Sequence, residues 1–289
     1  MAAPLSFSFE LFPPRTAESA ARLPAVVGEL TAAGPDYFSI THGACGSAQD
    51  GTYETLVTVV EHSGVEAVPH LTCVGSTRVN IAALLDRYRQ AGVKRLVALR
   101  GDLPATATGS SAPGEFHYAN ELVSFIRETQ GDAFEIEVAA YPEMHPQAPN
   151  PSVDFDNFRR KVEAGADGAI TQLFYNADAY FDFMDRCVKA GIRIPIVPGI
   201  MPITGYANTL RFCTGCGADL PRWIRLRLEE LQHDKEALLS FGLDVVTRLC
   251  ENLMRNGAPG LHFYTINQAG PTLRLWRNLG LRTPVDSVA

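Results

Sequence analysis

Residues 93–104, VKRLVALRGDLP, join a short apolar run to a group of chemically different residues. The run at 96–99 has the composition of a buried strand, and Arg-Gly-Asp at 100–102 follows directly, before Pro104 stops any regular continuation. In parallel sheets, functional groups collect at the C-terminal tips of the strands. This stretch therefore predicts a parallel α/β fold whose other strands end in a similar way.

Further β-rich runs recur along the chain, most of them apolar on both faces and separated by helix-like segments. Together, the eight predicted strands span residues 6–12, 37–43, 66–73, 95–102, 135–142, 169–176, 195–202 and 261–267. This alternation predicts an α/β fold, a single (β/α)8 TIM barrel domain over residues 1–289, with extra helices between about 203 and 260. An open, doubly wound sheet is the alternative. Such a sheet usually has a glycine-rich motif after its first strand, and this chain has FPPRT at 12–16.

The composition narrows the class of protein. With 289 residues, 46% hydrophobic content and a formal net charge of -7, the chain is typical of a globular protein that has a large core and no nucleic-acid surface. No apolar stretch approaches the roughly 20 residues of a membrane helix, and no signal peptide is recognisable. Six scattered cysteines indicate reduced thiols and a cytoplasmic protein, and the lone CTGC at 213–216 is a weak metal or redox signal, so we predict no metal.

Polar side chains stand at the predicted strand tips, which converge on one mouth in a closed barrel. The candidates are Glu10, Thr41, His42, His70, Arg100, Gly101, Asp102, Tyr141, His145, Gln172 and Tyr264. Partial desolvation would raise the pKa of a carboxyl such as Glu10 and suit it to general acid catalysis near neutral pH. Taken singly, Glu10 also fits a solvated acid, Asp102 a loop residue and His70 a core histidine.

The segment DFDNFRRKVEAG, residues 154–165, indicates a helix with one polar face. Asp154, Asn157, Arg160 and Lys161 recur on that face at spacings of three and four residues. Acid and amide groups can hold ribose hydroxyls, and a basic pair can hold phosphates. Taken alone, the pattern is better explained by a solvated helix surface.

Several segments, read in order, resemble one known family. SFSFELFPPRT (6–16), LVALRGDLP (96–104), AITQLFY (169–175) and HFYTIN (262–267) are similar to bacterial methylenetetrahydrofolate reductase, and the similarity covers nearly the whole chain. The resemblance implies a (β/α)8 barrel that binds FAD without a Rossmann motif. It also implies ping-pong reduction of 5,10-methylenetetrahydrofolate to 5-methyltetrahydrofolate through FAD, with NADH or NADPH as electron donor. The length implies the short bacterial form, without the C-terminal S-adenosylmethionine-binding regulatory domain of eukaryotic relatives.

The resemblance assigns roles by position in these motifs. Glu10 would be the general acid that protonates N10 of the folate, and Asp102 would be a second catalytic residue beside the flavin and the pterin. Substrate contacts would fall on Glu10, Asp102, Gln172, Phe212 and Gln268. Contacts with FAD would fall on Thr41, His42, His70, Arg100, Gly101, Asp102, Tyr118, Ala119, Tyr141, His145, Asp154, Asn157, Arg160 and Lys161.

The chain departs from the family pattern at three positions. It has His42 where a tyrosine is usual, Cys45 where a glycine is frequent, and Gln268 where an arginine is common. Because an amide cannot replace a guanidinium charge, Gln268 predicts weaker folate binding unless Arg274 or Arg277 supplies that charge.

Two other functions stay open: a folate-binding barrel without independent redox activity, and a flavin barrel similar to proline dehydrogenase. The expected partners are small molecules, folate and a nicotinamide nucleotide, with neither nucleic acid nor a membrane among them. The sequence leaves the oligomeric state open, with a homo-oligomer among the alternatives, and it does not discriminate NADH from NADPH.

Overall fold

The computed structural model describes residues 5–42, 48–102 and 114–281. Within these ranges the strands are β1 (Ser6–Leu11), β2 (Tyr37–Ile40), β3 (Glu66–Thr72), β4 (Arg95–Leu99), β5 (Glu135–Ala140), β6 (Gly168–Thr171), β7 (Ile196–Val197), β8 (Gly199–Ile200) and β9 (Gly260–Tyr264). The helices are α1 (Ala17–Thr31), α2 (Ala48–Ser63), α3 (Arg78–Gln90), α4 (Ala119–Gln130), α5 (Pro151–Glu163), α6 (Ala177–Lys189), α7 (Tyr206–Cys216), α8 (Arg222–Leu231), α9 (Lys235–Arg255) and α10 (Ala269–Asn278). None of the helices in these ranges combines the length and the apolar character needed to cross a membrane.

The strands form one parallel barrel, in which neighbours follow the order β7-β6-β5-β4-β3-β2-β1-β9-β8. β7 and β8 are two halves of the seventh predicted strand, separated by Pro198; the first half pairs with β6 and the second with β9, which closes the ring. Proline lacks the amide hydrogen of a strand ladder, but the Pro198 carbonyl accepts a hydrogen bond of 2.9 Å from the His262 amide. The predicted (β/α)8 barrel is confirmed, and the doubly wound alternative is wrong.

Most strands end earlier than the sequence predicts. β2 ends at Ile40, β6 at Thr171 and β9 at Tyr264, so that His42 and Gln172 lie in the loops that follow. Loops on a rigid scaffold are the usual carriers of functional side chains. The polar residues at the mouth therefore come both from the last residues of the strands, such as Glu10 and His70, and from the loops that follow them.

Aromatic side chains fix which face of β1 points inward. Phe9 packs against Phe38 of β2, Phe263 of β9 and Trp276 of α10, with ring centroids 5.6 to 5.9 Å apart. Because side chains alternate along a strand, burial of Phe9 under the helices turns Ser8 and Glu10 to the barrel interior.

A charged network lies inside the barrel near the N-terminal ends of the strands. The Tyr37 hydroxyl donates to both carboxylate oxygens of Glu137, at 3.0 and 3.2 Å, and Glu137 is buried. Arg95 Nη1 lies 3.4 Å from Glu137 Oε1, and its guanidinium lies 4.6 Å from the Tyr37 ring centroid. The members of this network come from three separate strands, so no linear sequence pattern indicates it.

Candidate active site at the barrel mouth

A cavity of about 1420 Å³ opens at the C-terminal ends of the strands. Its wall combines strand tips with the N-terminal ends of α3 and α4, one face of α5 and the C-terminal half of α7. Sites for single drug-sized ligands are typically about 300–1,000 Å³, so this cavity has room for an extended ligand or for two ligands together.

The cavity brings together nearly all the residues that the sequence nominates. They are Glu10, Thr41, His42, His70, Arg100, Gly101, Asp102, Tyr118, Ala119, Tyr141, His145, Asp154, Asn157, Arg160, Lys161, Gln172 and Phe212. Gln268 is not part of the wall: it is the N-cap of α10 and its side chain is exposed. The individual roles of all these residues stay predictions.

Glu10 lies between two histidines. Its Oε2 atom is 3.6 Å from His70 Nε2 and 3.7 Å from His262 Nε2, and its side chain is 20% exposed. His262 is fully buried and its Nδ1 atom pairs with the Ser8 hydroxyl at 2.7 Å. Burial lowers the pKa of His70 to about 4, so this imidazole is neutral at pH 7. Glu10 therefore has the neutral His70 imidazole on one side and His262, which bonds to Ser8, on the other. The Glu10 side chain itself lines the cavity.

His262 is a member of this cluster that the sequence analysis did not nominate. A signal was available, because His262 lies two residues before Tyr264 in a strand, and alternation places both on the inner face. Tyr264 donates from its hydroxyl to the Thr171 carbonyl at 2.6 Å and joins β9 to β6 across the interior.

Two ring nitrogens in the cavity wall have no hydrogen-bond partner within the described part of the chain. They are His42 Nδ1 and His70 Nε2, both buried from solvent. Burial also lowers the pKa of His42, which favours its neutral form. Buried polar groups are nearly always hydrogen-bonded in native proteins. The unpaired nitrogens therefore favour a bound ligand with polar edges at this position.

The β4 tip depends on a glycine. Gly101 has a φ of 89°, and a side chain there would bring a Cβ atom within 3.0 Å of both Thr72 and Val74. The turn presents Arg100 and Asp102 to the cavity, and Arg100 Nη2 donates to Gln147 Oε1 at 2.5 Å. A glycine is therefore required between these two charged residues, as the opening motif suggests.

The first turn of α4 contributes a second polar element to the wall. Tyr118, Ala119 and Asn120 line the cavity at the point where this helix begins. Backbone amides at a helix N-terminus favour phosphate and other anions. The Tyr118 side chain is exposed, which leaves its ring available to a ligand.

The polar face of α5 lines the cavity, with Lys161 partly buried and Arg160 exposed at its edge. Lys161 Nζ donates to the Ala139 carbonyl of β5 at 2.5 Å, and Arg160 donates to Asn157 Oδ1 at 3.2 Å. Asp154 accepts a bond of 3.1 Å from the His145 amide. Burial lowers the pKa of Lys161 to about 8, and the neighbouring carboxylate opposes this shift, so the amine is still mostly charged at pH 7.

The far wall contains Gln172 and part of α7. The Gln172 side-chain oxygen accepts from the Leu173 amide at 2.9 Å, which leaves its NH2 group for the cavity. Phe212 is half-buried, and its ring centroid lies 5.2 Å from the Arg211 guanidinium carbon. The sequence analysis did not nominate Arg211.

The CTGC motif ends α7. Cys216 lines the cavity, Cys213 is buried, and both are free thiols. Burial raises the pKa of Cys213 to about 12, which makes its thiolate scarce at neutral pH. The residues that the structure describes contain no group of three or more His, Cys, Asp or Glu side chains placed to hold a metal ion. Cys45 lies outside those residues.

Comparison with known proteins agrees with the motifs. A sequence model of the family described as Methylenetetrahydrofolate reductase matches residues 2–280. The chain belongs to the methylenetetrahydrofolate reductase family. The resemblance read from the sequence motifs is thereby confirmed.

Members of this family from bacteria and plants match almost the whole chain. The 5,10-methylenetetrahydrofolate reductase of Salmonella typhimurium is 38% identical over 278 residues, which cover 96% of this chain and 92% of that protein. Methylenetetrahydrofolate reductase (NADH) 1 of Zea mays is 37% identical over 286 residues, which cover 96% of this chain and 48% of the maize protein.

A solved structure shares the fold at low sequence identity. It is a protein from Clostridium thermocellum that binds two copies of 5-methyl-5,6,7,8-tetrahydrofolic acid, with a TM-score of 0.65 and 14% identity. The match covers 100% of this chain and 97% of that chain. At this identity the likeness shows the barrel fold alone.

Proposed function

We propose that this protein is a flavin-dependent methylenetetrahydrofolate reductase. It reduces 5,10-methylenetetrahydrofolate to 5-methyltetrahydrofolate, uses FAD, and takes its electrons from NADH or NADPH. The observation that carries the proposal is the convergence of the family motifs on one cavity, with the carboxyl group of Glu10 in its wall beside His70 and His262.

The cavity wall fits FAD in three ways. The unpaired nitrogens of His42 and His70 suit the polar edge of a flavin ring. The α5 cations Arg160 and Lys161 suit a pyrophosphate, as does the N-terminal turn of α4. When bound, FAD supplies reversible two-electron chemistry that protein side chains do not offer.

Glu10 delivers the proton that folate reduction needs. Opening of the five-membered ring of methylenetetrahydrofolate places a proton on N10, and Glu10 donates it from the cavity wall. His262, which bonds to Ser8 and Ser39, lies 3.7 Å from the same carboxylate oxygen and gives the carboxyl group a fixed polar neighbour. A positioned acid of this kind contributes about 10²–10⁴-fold to rate.

Asp102 and Gln172 orient the folate. The Asp102 carboxylate stabilises the positive charge that develops when the folate ring opens. The free NH2 group of Gln172 donates to the pterin, and Phe212 packs on the aryl ring or on a nicotinamide.

Anaerobic stopped-flow spectroscopy tests this function. The purified protein should show flavin absorbance that NADH or NADPH bleaches and that methylenetetrahydrofolate restores. A colourless protein that binds folate would favour the barrel without redox activity. Bleaching by proline with no response to methylenetetrahydrofolate would favour the barrel similar to proline dehydrogenase.

A further inference from the structure

Four cationic side chains belong to the described cavity wall, and three of them lie on one side. Arg100 follows β4, and Arg160 and Lys161 lie on α5. Each of these three donates to a neighbouring oxygen of the protein, on Gln147, Asn157 and Ala139 respectively. The fourth cation, Arg211, comes from α7 on another side of the cavity.

Within the described part of the chain, Arg211 has no carboxylate partner. Its Nη2 atom donates to the neutral Asn208 amide oxygen at 3.3 Å, one turn earlier in α7. None of the ion pairs within the described ranges includes Arg211, and its side chain is exposed. Its guanidinium lies 5.2 Å from the centroid of the Phe212 ring, so a cation and an aromatic surface form one unit of the wall.

The helix that follows the barrel does not supply this charge. Gln268 is exposed at the start of α10 and is absent from the cavity wall. Arg274 and Arg277 lie further along α10, are also exposed, and are absent from the wall too. Arg274 and Arg277 are the two alternatives that the sequence suggests for a substrate-binding cation near residue 268. Neither of them lines the cavity.

Each group of folate has a chemical counterpart in the cavity wall. A pterin is followed by an aryl ring and then by glutamate, which carries two carboxylates at pH 7. Gln172 lies at the barrel rim, Phe212 offers an aromatic surface, and Arg211 stands one residue before it. Guanidinium groups bind carboxylates through paired, charge-assisted hydrogen bonds.

We propose that Arg211 is the anchor for the glutamate carboxylates of folate and so determines specificity for the tail of the substrate. This inference rests on the proposed function and adds to it the residue that recognises the tail. Since the Arg211 side chain is exposed, its contribution is screened by salt.

The test compares two ligands that differ only at the tail. The first is 5-methyltetrahydrofolate, and the second is the matching pteroylamide, which keeps the pterin and aryl rings but lacks both glutamate carboxylates. Dissociation constants are measured by calorimetry with the wild-type holoprotein and with Arg211→Gln, Arg211→Lys and Arg274→Gln, where the last variant removes an α10 cation outside the cavity wall.

Arg211→Gln should weaken binding of 5-methyltetrahydrofolate roughly tenfold and leave pteroylamide binding unchanged, because only a charge-assisted contact is lost. Arg211→Lys should be intermediate, and Arg274→Gln should bind both ligands like the wild type. The preference of the wild type for the glutamate-bearing ligand should shrink at 0.5 M salt, an ionic strength at which the Debye length is only about 4 Å.

Equal losses for both ligands in Arg211→Gln would overturn the inference, because they would indicate a packing role. A parallel titration with NADH and NADPH is included: if Arg211→Gln weakened only nucleotide binding, the inference would be overturned and Arg211 would be assigned to nucleotide phosphates. If the wild type bound neither folate ligand, the proposed function itself would fail. Folate binding by the wild type with no change in Arg211→Gln would refute only the role of Arg211.

Discussion

At the residue scale, the proposed chemistry depends on one carboxyl group whose surroundings are polar yet partly closed to water. Glu10 is 20% exposed and lies within 3.7 Å of ring nitrogens of His70 and His262. The sequence left Glu10 open between a solvated acid and a catalytic one. Burial of Phe9 on the opposite face of β1 turns Glu10 inward, and this contradicts the solvated-acid interpretation.

Glu10→Gln should retain FAD and its reduction by nicotinamide but lose folate reduction by about 10²–10⁴-fold, because glutamine keeps the size of the side chain and removes its transferable proton. Stopped-flow measurement of the two half-reactions checks this. Glu143→Gln is the matched control, since Glu143 is a half-buried carboxyl outside the main cavity wall that bonds to the Asp219 amide at 2.8 Å. Wild-type rates in both half-reactions of Glu10→Gln would remove Glu10 from the acid role.

His70 should make the fold sensitive to acid. Burial lowers its pKa from 6.5 to about 4. Between these values the unfolded chain binds a proton that the folded chain does not bind. The free energy of unfolding therefore falls as the pH drops from about 6.5 to about 4, by roughly 3 kcal/mol in total from this residue. Urea unfolding at pH 7 and pH 5 should show a smaller loss in His70→Leu than in the wild type, and equal losses would contradict this account.

At the scale of elements, α5 shows that the function of a polar helix face depends on what the helix packs against. The helix starts at an Asn150 cap, whose side chain accepts from the Ser152 and Val153 amides, and Pro151 occupies its first turn. The sequence therefore specifies the helix and the spacing of its polar face. It does not specify that this face lines a cavity, which depends on the packing of α5 beside β5.

Arg160→Ala combined with Lys161→Ala should give a folded protein without FAD, because two positive charges facing the pyrophosphate are lost. Visible absorbance and thermal unfolding measure the two properties separately. Arg159→Ala is the matched control: this arginine lies on the same helix outside the cavity wall, where it pairs with Asp156 and Glu163. If the double variant retained stoichiometric FAD, the prediction would be wrong, and the polar face of α5 would be interpreted as a solvated surface.

At the scale of the whole molecule, periodicity was sufficient to predict the barrel and most of its mouth. Strands buried on both faces alternate with helices, and that pattern has few solutions other than a closed parallel barrel. The polar residues that end the strands then lie together by topology alone. This is why Glu10, His70, Asp102 and Gln172 could be nominated without coordinates.

The features of the site that the sequence did not predict depend on three-dimensional geometry, which a linear pattern of residues does not contain. After β9, Ile266 and Asn267 both adopt a φ of 51°, and Asn267 bonds to the backbone of Phe12, so the chain turns before Gln268 caps α10. That turn removes Gln268 from the cavity, and α7 brings in Arg211 from a stretch with no strand-tip signal. His262 was missed although its spacing of two residues from Tyr264 in β9 placed it on the same inner face.

The charged network inside the barrel leads to the last prediction. Arg95, Glu137 and Tyr37 belong to three strands and lie away from the mouth. Removing one member of a buried ion pair typically costs about 3–5 kcal/mol, whereas replacing the whole group by apolar side chains of similar volume is often neutral. We therefore expect this network to fill the interior without a role in catalysis.

Arg95→Met should lower the free energy of unfolding by about 3–5 kcal/mol, because buried Glu137 loses its ion-pair partner and keeps the Tyr37 hydroxyl as a hydrogen-bond partner. Burial already raises the pKa of Glu137, so the uncharged carboxyl tolerates this position better. The loss in Arg95→Met, relative to wild type at the same pH, should therefore be smaller at pH 5.5 than at pH 8.

The triple variant Arg95→Met, Glu137→Leu and Tyr37→Phe should recover to within about 1 kcal/mol of wild type and retain both half-reactions. Urea unfolding of the single and triple variants measures the recovery, and stopped-flow spectroscopy measures the activity. A triple variant that is as unstable as Arg95→Met would show that the charges stabilise the barrel. A stable triple variant that lost only folate reduction would instead connect the network, through the stacked rings of Tyr37 and His262, to Glu10.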